Sequence, residues 1–228
     1  MGRRSKKYIK AAGMVDRSKL YTLDEALSLL KNFPSTRFDE TVDLVIKLGM
    51  SGKEVLRTTV VLPHQTGSSR KKILVFAKGE KVKEAQSAGA DFVGAEDLAE
   101  KINSGWLDFD VAIATPEAMP VVVKLARILG PRGLMPNPRN ETVTSDVSGV
   151  IKEIRSGRKE IKSDQHGIIQ LGVAKISHSI QQIKENCVEV FKSILKVKPY
   201  VEFRSITLSS TMGPGIKIDP RSIKIVKE

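Results

Sequence analysis

The last strand-like segment of the chain, residues 202–210, carries a hydroxyl side chain at almost every second position. Because successive side chains of a strand point to opposite faces, we expect one face to hold Phe203, Ser205, Thr207, Ser209 and, if the strand continues, Thr211. Short hydroxyl side chains let another polar backbone approach closely and offer hydrogen-bond donors and acceptors at a regular spacing. Such a face suits the phosphates and 2′-hydroxyls of a folded RNA. A solvent-exposed strand face is the alternative that the pattern leaves open.

The turn after this strand and a pair of residues after Pro34 are two further candidate contacts. Met212 has a flexible thioether that packs on a sugar or a base, and Gly213 has no side chain to block a close approach. Arg37 and Phe38 combine a cation for phosphate with an aromatic ring for stacking. Burial of Phe38 in the core, which is common for a phenylalanine entering a strand, is the alternative.

The positive charge of the chain lies mostly at its two ends. Of the net charge of +12, +10 belongs to residues 1–68 and 159–228, which hold 24 Lys and Arg against 14 Asp and Glu. Residues 69–158 hold 14 Lys and Arg against 12 Asp and Glu. This distribution predicts one discontinuous basic domain, 1–68 with 159–228, and a nearly neutral domain, 69–158, inserted into it. The basic domain is the one expected to bind a polyanion.

Periodicity predicts helices and antiparallel strands in the two flanks. Thr22 and Glu25 form a capping box that starts a helix, and Pro34 ends it. Alternation predicts strands over 42–48, 58–62, 160–162, 168–173 and 202–210, and an apolar stripe predicts a helix from Ile180 to Ile194. The terminal domain is therefore predicted to be α+β, with an antiparallel sheet and helices on one of its faces.

The middle of the chain alternates strand-like and helix-like segments after a polar linker at 65–69. The patterns predict strands over 73–77, 92–93 and 111–114, and helices over 80–88, 97–103, 116–129 and 147–155, with Gly130 as the C-cap of the third helix. This rhythm is typical of an α/β domain. The two crossings of the chain between the domains predict a hinge.

Cysteine content, apolar runs and the first residues bear on the compartment. Cys187 is the single cysteine, which excludes an intramolecular disulfide and fits a reducing compartment, so we expect a cytoplasmic protein. No apolar run reaches the ~20 residues that cross a bilayer, so no membrane partner is expected. A basic arm, which either contacts RNA or is a solvated tail, is predicted from Arg3, Arg4, Lys6, Lys7 and Lys10.

Residue patterns typical of catalysis or metal binding do not occur in the sequence. The histidines His64, His166 and His178 lack the spacing of zinc ligands, and no glycine-rich phosphate loop or nucleophile elbow follows a predicted strand. We therefore expect no catalytic residue, no metal and no cofactor. Two other functions stay open, an enzyme that binds a nucleotide in the crevice of the α/β domain and a nonspecific basic binder of nucleic acid.

Six segments spread over the chain form a specific pattern. They are 37–42 (RFDETV), 77–80 (AKGE), 89–91 (GAD), 105–110 (GWLDFD), 125–138 (LARILGPRGLMPNP) and 211–214 (TMGP). In their residues and in their order along the chain, these segments closely resemble the family of ribosomal large-subunit protein one of bacteria and plastids. The resemblance covers essentially the whole chain. The chain departs from that family at two places: it has Gln65 where the family usually has a glycine, and it lacks a glycine that the family has near Thr58. These departures affect the expected geometry of the linker and leave the expected RNA binding unchanged.

The resemblance implies a function. It implies a structural component of the large ribosomal subunit that binds ribosomal RNA directly, forms the mobile lateral stalk at the exit site and assists release of deacylated tRNA. It also implies translational repression through binding to the messenger of the protein's own operon. The fold implied is a terminus-built α+β domain that holds the RNA and an inserted, Rossmann-like α/β domain joined to it by a hinge.

The resemblance also implies contact residues, which overlap with those that the strand pattern selects. The family's RNA-contacting positions match Arg37, Phe38, Thr41, Ser205, Thr211, Met212 and Gly213, and the strand pattern adds Thr207. The prediction is a noncatalytic RNA-binding protein, monomeric when free, whose partners are large-subunit ribosomal RNA, exit-site tRNA and its own messenger. Phosphate neutralisation by Lys and Arg should supply affinity, and the close-fitting strand and turn should supply specificity.

Overall fold

The computed structural model describes residues 5–34, 36–49, 55–64 and 71–223. The chain divides into two compact units, one formed by Met1–Gly67 with Lys159–Glu228 and the other by Ser68–Arg158. We call them the terminal unit and the central unit. The predicted linker at 65–69, Gln65 within it, and the arginines of the predicted basic arm, Arg3 and Arg4, lie outside the described residues.

Helices and strands of both units follow one another along the described residues in a mixed order. They are α1 (Lys6–Gly13), α2 (Leu23–Lys31), β1 (Thr41–Leu48), β2 (Arg57–Val61), β3 (Ile73–Phe76), α3 (Glu80–Ser87), β4 (Phe92–Gly94), α4 (Glu96–Asn103), β5 (Val111–Ala114), α5 (Met119–Lys124), α6 (Ala126–Leu129), α7 (Val147–Arg155), β6 (Arg158–Lys162), β7 (Ile168–Lys175), α8 (Ile180–Val197), β8 (Phe203–Ser210) and β9 (Ile216–Ile218). This content confirms the α+β class. Among the described residues, no helix has both the length and the apolar character needed to cross a bilayer.

The terminal unit is built on a four-stranded antiparallel sheet in the order β7-β1-β8-β9. β1 is one of its two inner strands, and its alternation directs every second side chain into the core, where the largest are Leu44, Ile46 and Leu48. α2 and α8 cover this face, and Leu27 and Phe191 are fully buried against it. β2 and β6 form a separate two-stranded sheet.

The two covering helices start at capping boxes, as the sequence predicts for the first of them. The Thr22 hydroxyl accepts a hydrogen bond from the Glu25 N–H, and the Glu25 carboxylate accepts one from the Thr22 N–H. The side chains of Ser179 and Gln182 accept from each other's N–H in the same way at α8. These contacts satisfy two backbone N–H groups that the first turn of each helix would otherwise leave free.

The central unit contains a three-stranded parallel sheet in the order β4-β3-β5. β3 is apolar on both faces, since Ile73 and Val75 pack with α3 and α7, whereas Leu74 and Phe76 pack with α4, α5 and α6. A parallel sheet covered by helices on both faces needs such uninterrupted apolar strands, which is why β3 reads as a continuous hydrophobic run.

The single helix predicted over 116–129 is wrong. Pro116–Ala118 is a short 3₁₀ helix, followed by α5 and α6, and the chain leaves helical geometry at Leu125, with φ −92° and ψ 2°. Pro120 has no N–H to donate, and the β-branched residues after it lose side-chain freedom in a helix. Gly130 is the C-cap residue of α6, as predicted, with a right-handed φ of −58°, and a left-handed glycine follows at Gly133, with φ +70°.

Two elements of the terminal unit were not predicted. The N-terminal segment, interpreted as a basic arm, is helical in α1, where Ser5 caps the helix by accepting a hydrogen bond from the Tyr8 N–H. Ala11 is buried on its inner side. β9 follows the turn after β8 and completes the sheet with three residues, too few to show a period in the sequence.

Cys187 provides a test of how tightly the terminal unit is packed. Its side chain is fully buried in α8, and burial raises the pKa of its thiol to about 12. Because the thiolate is the reactive form, we expect the native protein to react with a thiol reagent orders of magnitude more slowly than the urea-unfolded protein at pH 8. A colorimetric thiol assay measures both rates, and equal rates would contradict this packing.

Candidate nucleic-acid interface

The face of β8 that points away from the core carries the hydroxyl groups predicted from the sequence. Ile206 and Leu208 are buried, whereas Ser205 is exposed and Thr207 and Ser209 are half-buried. On the neighbouring strand β1, Lys47, Val45 and Asp43 stand opposite these three residues. The open face is therefore hydroxylic along β8 only, whereas β1 adds a cation, an aliphatic side chain and a carboxylate to it.

Phe203 does not belong to this face, which corrects the strict alternation assumed for it. Lys47 pairs with Ser205, but Leu48 pairs with Phe203, so Arg204 is an extra residue in β8 and the register shifts there. The shift turns Phe203 toward the core, where its ring meets Phe191 with centroids 5.7 Å apart.

The turn after β8 is locked to the start of β1. The Thr211 N–H donates to the Thr41 carbonyl at 3.1 Å, and the Thr211 hydroxyl accepts from the Thr41 N–H at 3.0 Å. The Met212 N–H donates to Oε2 of Glu40 at 3.1 Å. Thr41, Thr211 and Met212 thus come together, as the predicted site requires, and Thr211 lies in the turn and not in the strand.

Two large apolar side chains are exposed in this region, Phe38 in the segment before β1 and Met212 in the locked turn. Phe38 is 54% exposed and Met212 is 56% exposed, and Arg37 beside Phe38 is exposed as well. Burial of Phe38 in the core, the alternative left open by the sequence, is excluded. An aromatic ring and a thioether held in the open offer stacking and apolar contact to a base or a sugar.

Charged groups hold the segment before β1 in place. Asp39 accepts hydrogen bonds from the N–H of Ser177 at 3.1 Å and from its hydroxyl at 2.8 Å. Burial raises the pKa of the Asp39 carboxyl, but the bonds from Ser177 and the charge of Lys175 outweigh this, so the pKa lies below its usual range. Lys175 also donates to the Thr41 hydroxyl at 2.9 Å.

Gly213 is required by contacts within the protein. A Cβ at this position would lie 2.4 Å from Oγ of Ser210 and 3.1 Å from Cδ2 of Phe33. We expect Gly213→Ala to lower the free energy of unfolding by about 1–3 kcal/mol, because the turn must shift to relieve this overpacking. Urea unfolding measures the loss.

The matched control for this substitution is Gly13→Ala, where an added Cβ has no atom within 4 Å. Gly13→Ala should leave the free energy of unfolding unchanged or slightly raise it, because alanine favours a helix more than glycine does. Equal stability of the two alanine variants would show that the turn at Gly213 is not as tightly packed as described.

The predicted contact residues fall into two groups on the sheet. Arg37, Phe38, Thr41, Thr211, Met212 and Gly213 surround the turn. Ser205 and Thr207 lie further along β8, about 20 Å and about 13 Å from Thr211 at the usual rise of an extended strand. The structure does not bring the two groups into one cluster.

Comparison with known proteins identifies the family. Residues 30–214 match the Ribosomal protein L1p/L10e family. The chain belongs to this family. The Large ribosomal subunit protein uL1 of Kosmotoga olearia is 47% identical over 230 residues, covering 98% of the chain and 99% of the relative. The protein of the same name from Thermosipho africanus is 48% identical over 231 residues, with the same coverage.

Membership of the L1p/L10e family decides two of the expectations. Its members are structural proteins of the large ribosomal subunit, so the chain is a ribosomal protein and the nucleotide-binding enzyme is rejected. The expected location, on the ribosome in the cytoplasm, is confirmed.

Sequence reasoning missed Glu40, although a signal for it exists. Glu40 is 5% exposed, and it precedes β1 at the same parity as Val42 and Leu44, which point into the core. The period of the strand therefore directs Glu40 inward. The bonds from Ser177 to Asp39 join residues 138 positions apart, and the sequence carries no signal for them.

Proposed function

We propose that the protein binds large-subunit ribosomal RNA directly through the open side of the terminal unit. The exposed Phe38, in the segment before β1, and the exposed Met212, on a turn that hydrogen bonds lock to this segment and to β1, together are the observation that supports this proposal most strongly. Such a preorganised surface loses little conformational entropy on binding. The proposed contact residues are Arg37, Phe38, Thr41, Ser205, Thr207, Thr211, Met212 and Gly213.

Electrostatic attraction and shape recognition would make different contributions to RNA binding at this surface. Lys and Arg of residues 1–68 and 159–228, with their net charge of +10, would neutralise phosphates and supply most of the affinity. The hydroxyl face of β8 and the Met212–Gly213 turn would match the shape and the 2′-hydroxyls of the folded RNA. Discrimination against other RNAs would come from shape recognition, because every RNA has phosphates.

The finer roles are part of the same proposal. The protein would form the mobile lateral stalk at the exit site and assist release of deacylated tRNA, it would repress translation by binding its own operon's messenger, and it would be a monomer when free. Residues 1–68 with 159–228 would be the RNA-binding domain, and residues 69–158 a Rossmann-like α/β domain joined by a hinge. The relatives' name, Large ribosomal subunit protein uL1, supports the ribosomal context of these roles.

The salt dependence of binding tests the phosphate contribution. If about six phosphates are engaged, the logarithm of the association constant should fall with the logarithm of salt concentration with a slope of roughly −4 to −5. Filter binding of ribosomal RNA at several potassium chloride concentrations measures this slope. A slope near zero would contradict the proposed phosphate contacts.

A further inference from the structure

A small pocket lies beside the Met212–Gly213 turn, within the terminal unit. Tyr8 of α1, Phe33 and the turn form its walls, and the Glu40 carboxylate contributes to its lining. Its cavity volume is about 70 Å³. The pocket is partly open to solvent, so a ligand can enter it from outside.

Glu40 has unused capacity to accept hydrogen bonds in this pocket. Among the described residues its carboxylate accepts one bond, from the Met212 N–H, and takes part in no ion pair, although the exposed Lys7 also lines the pocket. An ionised carboxylate has about four acceptor positions, and a buried one is costly when so few are used. A ligand that brings N–H or O–H donors into the pocket would remove this deficit.

The negative charge of Glu40 restricts what that ligand is. A phosphate would be repelled by the carboxylate, whereas the edge of a base with N–H donors would form charge-assisted hydrogen bonds. Of the four bases, guanine alone carries two adjacent donors, N1–H and N2–H, on its Watson–Crick edge. Unpaired bases of RNA are bound through such edges, with apolar or aromatic side chains beside the ring, as Phe33 and Met212 are here.

We propose that this pocket binds the Watson–Crick edge of an unpaired guanine in the RNA, with Glu40 accepting from N1–H and N2–H. The proposal rests on the proposed RNA-binding function and adds base specificity to it. Because the same carboxylate holds the Met212 N–H, the bound base and the turn share one acceptor group. Glu40 would therefore both orient the turn and select the base.

Nucleotide-analogue interference with the full-length protein tests this assignment. Large-subunit ribosomal RNA carrying inosine, which lacks the N2 amino group, at random guanine positions is selected for binding. We expect one unpaired guanine at which inosine weakens binding about tenfold, the range for loss of a bidentate base contact. 7-Deazaguanosine at that position, which keeps N1–H and N2–H, should bind as well as guanosine.

Glu40→Gln identifies the protein partner of that guanine. This substitution keeps the shape and one acceptor oxygen but replaces the other oxygen by a donor, so the variant should bind unmodified RNA about tenfold more weakly. Inosine at the same position should cause no further loss in the variant. Glu185→Gln, an equal charge change at an exposed site on α8, should keep the wild-type affinity and interference map.

Two results would overturn the guanine pocket. One is an interference map of the wild-type protein that contains no inosine-sensitive unpaired guanine. This result would count against the pocket even if 2′-deoxy substitutions, which report contacts to the 2′-hydroxyls, did interfere. The other is an inosine effect that is the same size in Glu40→Gln and in the wild type. Failure of the wild-type protein to retain any ribosomal RNA would remove the proposed function together with the pocket, which distinguishes the two failures.

Discussion

Met212→Asp is expected to weaken binding of large-subunit ribosomal RNA by about 100-fold, since a like charge placed in an interface costs several kcal/mol. The side chain of Met212 is 56% exposed, and its backbone, not its side chain, makes the bond to Glu40. The free energy of unfolding should therefore change by no more than about 0.5 kcal/mol. Filter binding and urea unfolding of the same preparations measure the two effects.

The control for this charge effect is Tyr200→Asp. Tyr200 is 95% exposed and precedes β8, whereas Met212 follows it, so the same charge enters at the opposite end of one strand. Tyr200→Asp should lower RNA affinity far less than Met212→Asp does. Equal losses in the two variants would indicate a general electrostatic effect and would remove the turn from the interface.

Phe191→Ala is expected to destabilise the terminal unit by about 3–5 kcal/mol, the range for deleting a buried phenylalanine side chain. Phe191 is fully buried and meets Phe203 on the core side of the sheet. This loss is a large part of the roughly 5–15 kcal/mol that stabilises a typical domain. At a urea concentration that leaves the wild type folded, the variant should lose ribosomal RNA binding together with its terminal unit.

Phe76→Ala makes the same chemical change in the central unit. Phe76 is also fully buried, in β3, and a comparable loss of stability is expected there. Because the proposed contacts all belong to the terminal unit, this variant should keep its RNA affinity at the same urea concentration. The thiol assay of Cys187 reports whether the terminal unit is still folded. If it is, loss of RNA binding in Phe76→Ala would show that the central unit takes part in binding the RNA.

Strong periods in the sequence predicted the elements that carry the fold. β1 alternates over its whole length, and α8 has a continuous apolar stripe, so tertiary packing had no conflicting preference to override. The break in the helix after Pro116 was missed because an apolar period continues through it. The proline and valines there act on backbone geometry, which the period does not report.

The candidate site was predictable where local spacing determines it. Alternation alone placed Ser205, Thr207 and Ser209 on one face, because the irregularity of the strand, at Arg204, comes before them and the period is regular from Ser205 onward. The turn of Phe203 toward the core depends on a bulge opposite Lys47 and Leu48, and a bulge changes the register without a clear mark in the sequence. Contacts between distant segments, such as those of Thr41 with Thr211, required the folded chain.

The central claim, that the terminal unit recognises ribosomal RNA specifically, is tested most directly by competition. Labelled large-subunit ribosomal RNA is bound by the full-length protein at fixed salt, and unrelated duplex RNA is added in increasing excess. A specific site predicts that the complex survives a large excess of the duplex, because phosphate contacts alone are shared by both RNAs. Displacement at equal nucleotide concentration would contradict the account and would identify the protein as a nonspecific basic binder.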